Sequence, residues 1–113
     1  MLGKYIRTIY YTHKLKRELK ENEESLYSAL GEKVDVVSDV MEKTLMEVAQ
    51  TLAKAIAHRW PKESIEKLMA SNGNKEFVNY FVSAYLKYEI SPLYRHIKEY
   101  TKEFASRVPP EFA

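Results

Sequence analysis

Residues 34–58, VDVVSDVMEKTLMEVAQTLAKAIAH, decide the fold. Val34, Val37, Met41, Leu45, Val48, Leu52 and Ile56 recur every three or four residues, the spacing that lines one face of a helix. A stripe sustained for about six turns suits the centre of a helical bundle. Trp60-Pro61 closes it, because the residue before a proline is pushed out of the helical region. Pro61 then opens a helix over 61–70, with Ile65, Leu68 and Met69 turned inward.

Outward from this centre the same period continues. Residues 2–20 read as a helix whose apolar face changes partway, from Leu2, Ile6, Ile9 and Tyr10 to Leu15 and Leu19, so that it bends near His13 or meets two neighbours. Glu21-Asn22-Glu23-Glu24 breaks it. Ser25 caps a short helix through Leu30, stopped by Gly31 in a left-handed conformation. Ser71-Asn72-Gly73 is a turn, and Asn74 caps a helix over 75–89. That helix is apolar nearly all round: Tyr80, Val82 and Leu86 lie off the main stripe of Phe77, Val78, Phe81, Ala84, Tyr85 and Tyr88. Such a helix is either central in its own domain or half-buried by another subunit; we expect the second, with Tyr80, Val82 and Leu86 as a subunit interface. Ser91-Pro92 starts a last helix, which buries Leu93, Ile97, Tyr100 and Phe104 and ends at Pro109-Pro110. No run alternates as a strand would. The expected fold is all-α, a compact bundle of four or five helices forming one domain over 1–113.

The composition is globular, 45% hydrophobic and 30% charged, with no cysteine for disulfides, thiol catalysis or thiolate metal sites. No signal peptide and no run of roughly 20 apolar residues is seen, so a cytoplasmic protein with no membrane contact is expected. Abundant Glu, Lys, Ile and Tyr with a single Gln point to a thermophile. The net charge of +2 hides segregation. Residues 1–20 carry six Lys/Arg against one acid, and residues 21–50 carry two against eight. The two regions either neutralise each other within the fold or make opposite ends of a dipolar particle.

Catalytic and metal chemistry find no support. His13, His58 and His96 sit on separate helices without ligand spacing on a shared face. Asp35, Asp39 and Glu42 read as a solvated face, and no nucleophile elbow or phosphate-cradling glycine run exists. We therefore expect no catalytic residue, no metal and no cofactor. Binding chemistry is better represented. Lys4, Arg7, Tyr11 and Lys14 project together from the first helix, and Arg95, Lys98 and Lys102 form a second stripe on the last. Positive charge on an anchored helix suits a phosphate backbone, and a tyrosine among the charges suits a stacked base.

Two segments, GKYIRTIYYTHKLKREL at 3–19 and NKEFVNYFVSAYLKYE at 74–89, resemble the small helical subunit of archaeal type I-A CRISPR interference complexes. The resemblance extends over the whole length in size, helical pattern and basic ends, but rests on no diagnostic motif. It implies a non-enzymatic subunit, present in several stacked copies, that lines guide RNA and target DNA in a larger assembly. The acidic segment 21–47 departs from a uniformly basic binder and would have to face a protein neighbour. The expected function is thus a structural subunit of a nucleoprotein complex, acting in antiviral defence if the resemblance holds. Its partners would be RNA or single-stranded DNA bound without sequence preference, other protein subunits, and further copies of itself. The alternatives are a protein–protein adaptor or small viral or regulatory protein, and a helix-turn-helix regulator built from residues 61–88. The second helix of that motif is too apolar to lie in a groove.

Overall fold

Leu15, Leu19, Leu45, Leu52, Ile56, Ile65, Phe77, Phe81 and Tyr85 are all removed from solvent, and they come from four different segments of the chain. The computed structural model describes residues 2–71, 74–90 and 96–107, with the side chains of all of these except Leu2, Lys4, Glu89, Ile90 and Ile97. Among the described residues there are six helices and no strand. They are α1 (Leu2–Glu21), α2 (Glu23–Gly31), α3 (Asp39–Arg59), α4 (Lys62–Ala70), α5 (Lys75–Ile90) and α6 (Ile97–Arg107). The count is six rather than the expected four or five, and α2 and α4 are the shortest at 9 residues each.

α3 is the axis. It packs against α1, α5 and α6, and buries Leu45, Val48, Leu52 and Ile56 as the 3–4 spacing requires. Its start differs from the expected Val34. The Ser38 hydroxyl accepts from the Met41 amide at 3.1 Å, and Asp39 and Glu42 sit in the first turn, where the helix dipole favours acids. This cap wins over the apolar period upstream. Val34 and Val37 still pack on the core from outside the helix. Trp60 ends α3 in an extended conformation, as the following proline demands. Pro61 becomes the cap of α4 rather than its first residue, while Asn74 caps α5 through a 3.0 Å bond from the Glu76 amide.

Gly31 is the last residue of α2, not a left-handed stop; Glu32 follows it with right-handed helical angles. The acidic stretch after α1 does not break the chain for long either. The Asn22 side chain donates to the Glu18 carbonyl at 2.8 Å and closes α1, and Glu23 and Glu24 already form the first turn of α2. The proposed start of the last helix at Ser91-Pro92 lies outside the described residues, as do Leu93 and the end at Pro109-Pro110.

Two face assignments are corrected. α1 is one helix over its whole length, and the row seated inward is Tyr11, Leu15 and Leu19, all buried, while Ile6, Ile9 and Tyr10 stand in solvent. A rigid helix presents one line to its neighbour, and the later row is the one lying along α3. α5 packs against α2, α3, α4 and α6, so it is surrounded within its own chain. Tyr80 and Val82 are therefore core residues, and Leu86 is half-buried against the same core. Their apolar character is spent inside this chain, and the ground for reading them as a subunit interface disappears.

Candidate nucleic-acid interface

One member of each basic stripe, Arg7 of α1 and Lys102 of α6, lies beside Trp60 at the corner where α3 turns into α4. The corner is built on Trp60, whose side chain is 1% exposed. Its indole Nε1 donates to the Ala105 carbonyl on α6 at 2.7 Å. That carbonyl belongs to the last turn of α6, where intrahelical donors run out, and Pro109 four residues on has no N–H to offer. The indole ring also stands edge-on to Tyr80, with ring centres 5.5 Å apart. The Trp60 carbonyl accepts from Arg7 Nη2 at 3.4 Å, which brings α1 to the same point.

Around this buried tryptophan lies a cleft of about 490 Å³, lined by His58, Arg59, Lys102, Glu103 and Ser106. Arg59 and Lys102 are exposed and approach it from α3 and α6. Glu103, the acid at the rim, pairs with Arg107 one turn along α6, so its charge is partly committed there. His58 and Arg59 occupy the last turn of α3, where the helix dipole favours cations. Lys98 is exposed one turn before Lys102. The result is a concave, cationic surface whose walls come from separate helices. Among the described residues no group of three or more His, Cys, Asp or Glu is placed to hold a metal ion.

Each expected contact residue has a definite place or lies outside the described atoms. Arg7 is half-buried beside Trp60. Lys14 is half-buried, donating to the Tyr10 hydroxyl at 3.2 Å with its ammonium 5.2 Å from the centre of that ring. Lys98 and Lys102 are exposed. The Lys4 side chain and all of Arg95 lie outside the described residues. Tyr11 is not a stacking platform: it is 4% exposed, and its hydroxyl donates to Glu66 Oε2 at 3.0 Å, tying α1 to α4. Burial, then the Glu66 hydrogen bond, push its phenol above the ordinary range. Position on a helical wheel cannot distinguish a basic stripe in water from one flanking a packed seam, and Tyr11 lies on the seam.

Sequence reasoning missed His58 and Arg59 as members of this surface. The available signal was their place just before Trp60-Pro61, since a helix stop leaves its last turn exposed.

The arrangement defines an all-helical protein with a cleft lined by Arg59 and Lys102 at the end of α3. No family model matches the chain, and neither a curated protein nor a solved structure is similar to it. No helix among the described residues is long and apolar enough to cross a membrane.

Proposed function

We propose that this protein is a non-enzymatic structural subunit of a nucleoprotein complex, and that the corner around Trp60 holds a phosphodiester backbone. The observation that carries the reading is that Arg59 from α3 and Lys102 from α6 line one cleft beside Trp60, whose carbonyl accepts from Arg7 of α1. Cations held on separate helices can follow a strand and neutralise successive phosphates, which positions it without reading its bases. With Tyr11 and Trp60 both buried, the cleft offers no ring for stacking. Binding then depends on charge, and RNA or single-stranded DNA is held without sequence preference. A role in CRISPR-type antiviral defence follows if the family resemblance holds. The rival is an adaptor whose cationic corner seats an acidic protein.

Salt separates the two. Arg59→Glu with Lys102→Glu changes exposed residues only and spares the half-buried Arg7. Measured by fluorescence anisotropy on labelled oligonucleotides of unrelated sequence, wild-type affinity should fall linearly on a log–log plot against salt. The double variant should bind more weakly, with the slope reduced by roughly one for each lost contact. Unchanged affinity for both RNA and DNA would sink the nucleic-acid reading and leave the adaptor.

A further inference from the structure

Among the described residues six large hydrophobic side chains are mostly in solvent, and they form two groups. Tyr5, Ile6, Ile9 and Tyr10, between 52% and 66% exposed, share the side of α1 turned roughly 150° from its buried row, at 100° per residue. The same outward side continues as His13, Lys16, Arg17 and Lys20, all exposed. Its first half is therefore apolar and its second half cationic. The other group is Val36 and Val40, 76% and 70% exposed, at the start of α3. Around it stand Glu32, Asp35 and Asp39, all exposed, and residues 32–42 carry four acids against one lysine.

From these features we infer that the outward face of α1 docks onto the Val36–Val40 end of a second copy of this chain. The inference does not depend on the nucleic-acid reading, because neither surface belongs to the Trp60 cleft. One chain cannot satisfy both patches by itself. Arg7 meets Trp60 at the end of α3, while Lys20 shares a groove with Asp39 at its start, so α1 and α3 run antiparallel. The apolar half of α1 thus lies beside the end of α3, and Val40 lies about 20 residues, or about 30 Å, away at its beginning.

Charge decides between the pairings two copies can make. Like against like would put Lys16, Arg17 and Lys20 near their own counterparts, or Asp35 and Asp39 near theirs. Unlike pairing sets aliphatic on aliphatic and cations on carboxylates. Area points the same way. Tyr5, Ile6, Ile9 and Tyr10 expose on the order of 400 Å². A standard interface takes about 800 Å² from each partner. The apolar half alone falls short, so the cationic half must be covered too, and the acidic end sets complementary charge beside exposed valines.

The test uses nuclease-treated full-length protein and two variants altered only at exposed positions. One carries Ile6→Ser and Ile9→Ser, the other Val36→Ser and Val40→Ser, and both should melt as cooperatively as wild type. In sedimentation equilibrium the wild type should associate with rising concentration, and added salt should weaken that association. Each variant alone should stay monomeric. Mixed together they should restore pairing, because each retains the surface the other has lost, and the mixture should stop at two chains. Asp39→Arg should weaken wild-type pairing, and combination with Arg17→Glu should recover part of it. Wild-type protein that stays monomeric at millimolar concentration overturns the proposal. So does a mixture that fails to pair, or a Val36/Val40 variant that self-associates as well as wild type. If the Ile6/Ile9 variant loses oligonucleotide affinity while wild type is monomeric, the α1 face belongs to nucleic acid instead.

Discussion

Replacing Trp60 with Phe tests the corner on which the proposed site is built. The substitution keeps an aromatic ring near Tyr80 and leaves the Trp60 carbonyl available to Arg7, but it deletes the indole N–H. The Ala105 carbonyl then loses its donor in a buried setting, a cost of about 1–3 kcal/mol. The smaller ring also leaves roughly 40 Å³ unfilled, which at ~24 cal/mol per Å³ adds about 1 kcal/mol. The expected loss is about 2–4 kcal/mol. For a chain of this size that lowers Tm by about 8–16 °C, at roughly 4 °C per kcal/mol. Urea unfolding followed by far-UV circular dichroism is the right assay, since Trp60 is the sole tryptophan and the variant has no indole fluorescence. The midpoint should fall with the slope unchanged. Because Trp60 ties α6 to α3, Lys102 loses its fixed place against Arg59, and oligonucleotide affinity should drop in the folded variant as well. A stability loss under about 0.5 kcal/mol, the size of a surface effect, would refute the argument that this hydrogen bond joins the two helices.

Leu52→Ala should cost about 2–5 kcal/mol, because Leu52 is fully buried midway along α3; a loss under about 0.5 kcal/mol would contradict that placement. Burial holds the half-buried Glu18 carboxyl above its ordinary value of 4.5, with Lys14 opposing the shift. The folded state thus binds this proton more tightly than the unfolded chain, and stability falls as pH rises above 4.5. Glu18→Gln should therefore raise Tm at neutral pH, and the gain should vanish below that value; a neutral-pH gain that persists in acid would break the assignment. Burial pushes Tyr27 and Tyr100 up to about 12, and Tyr27 also donates to Glu23 at 2.8 Å. Both keep protons that an unfolded chain releases near 10.0, so stability should decline as pH climbs from 10.0 toward 12. A spectrophotometric titration in which all nine tyrosines ionise together near 10.0, with helicity intact, would be the contrary result.

Local signals determined where most helices lie. The 3–4 period over α3, the Trp60-Pro61 stop and the Asn74 cap act within a few residues of themselves, so the chain alone suffices to place them. Even there, Ser38 overrode the valines before it: its cap starts the helix, and Val34 and Val37 pack on the core from outside it. Which face of each helix is buried was a different question. α1 carries two apolar rows, Ile6–Ile9–Tyr10 and Tyr11–Leu15–Leu19, and periodicity scores both alike. Only contact with α3 buries the second and leaves the first in solvent. α5 is apolar nearly all round, which fits either an interface or a surrounded helix; packing against four other helices makes it the latter. Arg59 and Lys102, 43 residues apart, share a cleft because α6 packs on α3, with the Trp60 indole bonded to the Ala105 carbonyl. Burial and convergence are properties of pairs of distant segments, and a one-dimensional period carries no information about pairs.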